Sequence, residues 1–421
     1  MKVAAIIAEY NPFHRGHLYH IEKTREVTGC THVLVVMSGY YTQRGEPAVF
    51  SPHTRARQAL LNGADVVLEL PSLFSCASAE PFAYGAFSLI HKLGVCDFLS
   101  FGSEVTDINL LKQTAYALSK EPKDYRILLQ SYLKKGVSFP KARALALTSL
   151  FPYVSAEVLE GSNTILGLEY LKAIYHFESA VQPIAIKRIH NNYRDTALSE
   201  NNNFSSAAAI RNYLSNGLRD SLVYENNELQ KELSSAMPHS FFTADTDKTT
   251  CCYPIFPKDF SLLLQHKLLS QTPDTLAEYE DVSKELASRI YHYRYRCSNM
   301  EEFCLLLKTK EITYTRISRC LLHVILNIKK EDMAYYKKEN YCPYGRILGF
   351  RKSATDLLHS IKKSSSLPLI AKTAKAALLL TPRDYLLFQK EIEACHIYEA
   401  VRSHKYGCAF ENEYLKSPVI L

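Results

Sequence analysis

The 421 residues, 47% hydrophobic and 22% charged, have the balance of an ordinary globular protein long enough for two or three domains, which excludes a disordered or fibrous chain. No apolar run approaches the ~18 residues that would suggest a membrane span, and the net charge of +7 admits an acidic partner such as RNA without demanding one. The 11 cysteines are scattered, with Cys251 and Cys252 adjacent, and read as free thiols of a reducing cytoplasm rather than a disulfide or metal framework.

Met1-Lys2 leads, with no signal peptide between, into Val3 to Ala8, a short apolar run of the kind a buried parallel strand shows. Glu9-Tyr10-Asn11-Pro12-Phe13 is a turn, and His14-Arg15-Gly16-His17 opens a helix continuing from Leu18. A strand, a tight loop and a helix start make an anion site, because free backbone N–H groups and the helix dipole point outward together. Two histidines there can donate to phosphate oxygens, and Gly16 leaves the backbone open to a ligand. Thr31 to Gly39 is a second buried strand, followed by a polar loop, Tyr40 to Pro47. Ser51-Pro52 starts a helix that stops at Asn62-Gly63. Strand Asp65 to Leu70, helix Ala79 to Leu93 and strand Asp97 to Phe101 follow, the last ending in Gly102-Ser103-Glu104. Strands alternating with helices predict a Rossmann-like α/β fold with a parallel sheet and ligands at the carboxyl ends of its strands.

Helices are expected between Thr106 and Pro152 and from Ile165 to Tyr175, with Ser162, Asn163 and Thr164 as candidate caps. A fifth strand, Pro183 to Ile189, carries Lys187-Arg188, either a solvated edge or a bidentate phosphate contact through Arg188. Asn191 to Asp195 reads as a polar loop, and Phe204 to Arg211 as a second helix start. Leu214 to Thr250 reads as a helix plus a connecting loop, and helical patterns then dominate: Phe256 to Leu269, Glu280 to Arg294, Met300 to Leu307 and Ile317 to Ile328. Between Lys308 and Lys352, 11 Lys or Arg face 4 acids, with tyrosines interleaved. That mixture suits phosphate contact plus base stacking, or else a solvated helix face. Arg316 and Arg319 share one helix face there, and Lys329 and Lys330 follow. Tyr344 to Phe350 is a turn into a strand, and Ser366 to Leu421 a further helix or two.

His-x-Gly-His resembles the signature of the nucleotidyltransferase and class I aminoacyl-tRNA synthetase superfamily. The wider strings EYNPFHRGH, GEPAVF, GADVVLELP, FGSE, GSN and YTRISR resemble one branch, the bacterial tRNA(Met) cytidine acetate ligase family. That resemblance implies an ATP-dependent ligase that activates acetate as acetyl-adenylate and passes the acetyl group to N4 of the wobble cytidine of elongator tRNA(Met). It implies catalytic roles for His14 and His17. It also implies an ATP site built from Ile7, Ala8, Glu9, Tyr10, Asn11, Pro12, Phe13, His14, Arg15, Gly16, His17, Leu18, Tyr19 and His20, with Gly102, Asn163 and Arg188. Mg²⁺ is expected with the ATP, with no dedicated protein metal site and no protein partner. Ser206 and Arg211 match the superfamily's second nucleotide motif, although Ala208 stands where Thr is usual, and Ser51-Pro52 stands where the family often has Asp-Lys. The expected division is a nucleotidyltransferase-like domain over 1–215, a connecting segment over 216–255, and a mainly helical, tRNA-binding domain over 256–421, with Arg316, Arg319, Lys329 and Lys330 on the RNA side. Two other readings share these residues: an adenylyltransferase of a small cofactor precursor, and a non-catalytic RNA-binding protein on a degenerate nucleotide fold.

Overall fold

A computed structural model describes residues 1–120, 122–137, 139–151, 154, 158–159, 161–188, 205–217, 231–243 and 253–421. The polar loop Asn191 to Asp195, Phe204, and the Cys251-Cys252 pair lie outside the described residues, as does most of the stretch from 218 to 252.

The first half builds β1 (Val3–Ala8), α1 (Arg15–Thr28), β2 (His32–Ser38), α2 (Pro52–Leu61), β3 (Val66–Leu70), α3 (Ser72–Ser75), α4 (Ala79–Leu93) and β4 (Phe98–Ser103). Helices 108–120, 123–134, 139–150 and 162–176 lead to β5 (Gln182–Lys187). Strands β1 to β5 are mutually parallel in the order β5-β4-β1-β2-β3. The chain therefore reverses its direction of growth at β1, between β4 and β2, and a crevice opens beyond the strands' carboxyl ends there.

Alternation along β1 explains the layering. Val3, Ala5 and Ile7 face a core shared with Phe82 and Phe87 of α4 and Leu168 and Leu171 of helix 162–176. Ala4 and Ile6 face the opposite side, against Ile21 of α1 and Ala56, Ala59 and Leu60 of α2. A strand buried on both faces needs apolar residues at every position, which is why these runs carry no polar alternation.

Helices dominate from 257 to 338, and β6 (Gly345–Phe350) then returns to the sheet, antiparallel to β3. β7 (Leu369–Ile370) and β8 (Val419–Ile420) both pair with β6. The expectation of a helix or two after Ser366 is met by the 25-residue helix Pro382–Tyr406, but two strands were not foreseen. Two residues are too few to show a period of two.

Charge is buried where β6 joins. Arg346 stands opposite Glu69 in the register, donates to it at 2.8 Å, and also donates to Glu413. Tyr40 donates to Glu413 at 2.7 Å, and Ser72 Oγ donates to Glu391 at 2.9 Å. Glu69, Glu391 and Cys395 converge within 4.8 Å, a spacing compatible with a cation among the described residues. Arg346 already occupies the Glu69 side, and Glu391 is pushed up to about 8 by burial and by Glu69. No described helix is long and apolar enough to cross a membrane.

Candidate active site

Past β1, Tyr10 takes a left-handed backbone, φ 49°, and the Asn11–Pro12 peptide is cis. That brings His14 to the N-cap of α1. Its Nδ1 accepts from the N–H of Gly16 at 3.0 Å, and its own N–H donates to Nδ1 of His17 at 3.2 Å. The two histidines form a reciprocal capping box, with their rings stacked 3.7 Å apart. An Nδ1 used as an acceptor leaves the proton of a neutral imidazole on Nε2. Each ring is thereby fixed as an Nε2–H donor. Burial lowers the His14 pKa to about 3, helped by Arg188 and Arg211, and burial with His14 and Arg188 lowers His17 as well. Burial and Arg188 lower His20 to about 4, and its Nε2 lies 3.0 Å from Ser100 Oγ.

Gly16 has a structural task as well. A Cβ there would lie 2.8 Å from Cε1 of His14, so the glycine makes room for the capping ring.

The surrounding loops are tied to this turn from elsewhere in the chain. Arg55, 1% exposed, donates to the carbonyls of Glu9 (2.6 Å), Ser38 (3.0 Å), Phe50 (3.0 Å) and Gly39. Among the described residues it forms no ion pair, and burial pulls its pKa down to about 10. Asn11 Oδ1 accepts from the N–H of Val49 at 2.7 Å, and Glu9 accepts from the N–H of Gln43 at 2.7 Å. Gly45, at φ 76°, presses on the backbone of Ser318 and Arg319, and Ser318 Oγ donates to its carbonyl at 2.8 Å. Three strings read separately in the sequence, at 9–17, 45–50 and 314–319, thus meet in space. Sequence reasoning saw Arg55 only as a helix residue. Its one signal was a cation spaced four before Ala59, on the helix's apolar face.

A cavity of about 440 Å³ opens where these elements converge, at the carboxyl ends of β1 and β4. Of the expected nucleotide residues it is lined by Ile7, Ala8, Glu9, Tyr10, Asn11, His14, Gly16, His17, Tyr19, His20, Gly102, Asn163 and Arg188, and also by Ser206 and Arg211. Pro12, Phe13, Arg15 and Leu18 do not line it. Phe13 packs on Tyr10 and His17, and Arg15 is held by the carbonyls of Ser234 and Ala236. Asn163 does not cap its helix. Glu104 reaches back to do so, accepting from Thr164 N–H and Oγ1 at 2.7 Å each and from Asn163 Nδ2 at 2.6 Å. Although burial opposes it, these hydrogen bonds hold Glu104 below the usual carboxylate range. Asn163 Oδ1 is then free to accept from Arg188, at 3.3 Å. Ser206 caps the helix Ala207–Gly217 through Ala209 N–H at 3.0 Å, and Arg211 donates to the Asn11 carbonyl at 2.8 Å. Two helix starts, three histidines and Arg44, Arg188, Arg211 and Arg319 therefore address one cavity, an arrangement suited to a polyphosphate.

The cations expected on the RNA side are engaged within the protein. Arg316 donates to the Asp281 carbonyl at 3.2 Å and Arg319 pairs with the Asp281 carboxylate at 3.0 Å. Lys329 pairs with Glu278 at 3.1 Å and lies over the Tyr279 ring, and Lys330 donates to the carbonyls of Ala277 and Val282.

Residues 1–412 match the family described as HIGH Nucleotidyl Transferase. The tRNA(Met) cytidine acetate ligase of Clostridium tetani is 38% identical over 382 residues, covering 89% of this chain and 91% of that protein. The chain belongs to the tRNA(Met) cytidine acetate ligases, within the HIGH nucleotidyl transferase family. The ligase of Clostridium kluyveri is also 38% identical, over all of this chain and 99% of its own. The crystal structure of Thermotoga maritima TmcAL, apo form I, superposes with a TM-score of 0.90 at 31% identity, covering all of both chains. Another structure of the same TmcAL, bound with alpha-thio ATP, gives 0.87 at the same identity and coverage. As a ligase-family fold, the chain joins a Rossmann-like nucleotidyltransferase sheet to a mainly helical C-terminal region.

Proposed function

We propose that the chain is an ATP-dependent tRNA(Met) cytidine acetate ligase. It activates acetate as acetyl-adenylate and transfers the acetyl group to N4 of the wobble cytidine of elongator tRNA(Met). The observation that carries this reading is the paired capping of His14 and His17, which leaves two neutral Nε2–H donors on rings lining a cavity that Arg44, Arg188, Arg211 and Arg319 also line.

A carboxylate oxygen of acetate attacks the α-phosphorus. The new P–O bond forms as the bond to the bridging oxygen breaks, and that electron pair leaves with pyrophosphate. No protein nucleophile is needed, only alignment and neutralisation of charge. Neutral imidazoles suit the first role, since they donate without adding charge near Arg188 and Arg211. The arginines supply the second. Mg²⁺ carried by the nucleotide would neutralise phosphate charge, with Glu9 as the carboxylate lining the cavity. In the second step the cytidine amine attacks the acetyl carbonyl, a C–N bond forms, AMP leaves, and the amine gives up a proton.

The RNA side is assigned to the C-terminal region, whose Lys308, Lys310, Lys337 and Lys338 are exposed. Arg316, Arg319, Lys329 and Lys330 are assigned there as residues that shape this surface. Incubation with ATP, labelled acetate and bulk tRNA, followed by nucleoside mass spectrometry, tests the whole reading. N4-acetylcytidine confined to one tRNA is the expected product, and its absence with active protein would refute the assignment.

A further inference from the structure

The cavity has two unlike walls. The wall from α1 is polar. The other is hydrocarbon apart from one phenol hydroxyl: Ile7 of β1, Phe101 of β4, Ala79 and Phe82 in the first turn of α4, and Leu166 and Tyr170 of helix 162–176. Phe82, Phe101 and Tyr170 are at most 3% exposed and line the cavity, so the little surface they show faces it. The wall is also stiff. A Cβ on Gly167 would lie 2.6 Å from Cε2 of Phe101, so the helix already presses on that ring from behind. The Phe101 and Tyr170 rings pack 5.9 Å apart, and close-packed rings like these do not retreat at small cost.

Away from the Tyr170 hydroxyl, around Ala79, Phe82 and Phe101, such a wall gives nothing to a phosphate or a ribose. An adenine edge set against it would lose hydrogen bonds, whereas a methyl group loses none and gains by leaving water. We propose that this wall is an acyl subsite: the methyl group of the acid packs on Ala79, Phe82 and Phe101, and the wall's rigidity limits the acid to two carbons. The proposal rests on the carboxylate-activating function above and adds to it the feature that selects the acid.

The test is acid-dependent ATP–pyrophosphate exchange with acetate, propionate and butyrate, using the full-length wild type, Phe82→Leu and Ala79→Val, each checked for folding by circular dichroism. The wild type should favour acetate. Phe82→Leu should shift the propionate-to-acetate ratio of kcat/KM by roughly tenfold or more toward propionate, the scale of one methylene in an apolar pocket. Ala79→Val enlarges a residue in the wall and leaves no void. It should raise the acetate KM by roughly tenfold while the ATP KM stays within about twofold. Unchanged acid preference in both variants, or a shift in the ATP KM instead, would overturn the subsite alone. Absence of acetate-dependent exchange in the wild type would overturn the activation reading, and the subsite with it.

Discussion

His14 and His17 each do two jobs with two nitrogens. Nδ1 accepts a backbone N–H and starts α1, while the proton left on Nε2 belongs to a ring that lines the cavity. The two jobs can be separated. Asn places an acceptor near the Nδ1 position and is a good cap, but has nothing at Nε2. His14→Asn is therefore expected to lower acetate-dependent ATP–pyrophosphate exchange by about 10²–10³ while chemical denaturation shifts stability by no more than about 1 kcal/mol. Retained exchange would remove the donor role. Because His14 and His20 titrate at about 3 and about 4, the profile of kcat/KM should show no histidine ionisation between about pH 5.5 and 8. An inflection near 6.5 would contradict neutral, desolvated rings.

At the scale of elements, much was legible from the sequence. The apolar runs at Val3 to Ala8, Thr31 to Gly39 and Asp65 to Leu70 are strands because both faces are buried, and Ser51-Pro52 caps α2 as its chemistry requires. The His-x-Gly-His string pointed to the right end of the right strand. What stayed hidden was every contact whose partner is distant in sequence. Glu104 caps a helix 59 residues on, and Arg55 ties carbonyls from the connections after β1 and β2. Lys329 and Lys330 looked like free cations until the turn at 277–282 was seen to hold them. Glu104→Ala should cost about 0.5–2 kcal/mol in denaturation as its helix loses a cap. It should also raise the ATP KM, since Asn163 is no longer fixed for Arg188. A normal ATP KM would place Asn163 outside the nucleotide site. Arg346 joins β6 to β3 with two carboxylates on one guanidinium. Arg346→Leu strands both and should destabilise by about 3–5 kcal/mol in the same measurement.

For the whole molecule, stability against pH follows from two opposed sets of buried groups. The α1 histidines are neutral when folded and titrate near 6.5 when unfolded. Between about pH 4 and 6.5 the unfolded chain binds more protons, so their contribution rises with pH. Glu391, raised to about 8, does the reverse. Folded, it keeps a proton that the unfolded chain releases above about pH 4.3, so its contribution falls as pH climbs toward 8. Thermal melts should show a maximum between about pH 6 and 7, and Glu391→Gln should flatten the alkaline decline. An unchanged alkaline slope would contradict a raised Glu391.

These scales meet where β1 hands over to α1, since the turn, the caps, the Arg55 hydrogen bonds and the helix Tyr314–Leu326 at Gly45 all brace that one junction. The most direct measurement is a crystal structure with a non-hydrolysable ATP analogue. The account predicts triphosphate oxygens within hydrogen-bond distance of Nε2 of His14 or His17, with Arg188 and Arg211 flanking them. Nucleotide bound elsewhere, with both imidazoles facing only solvent, would contradict it.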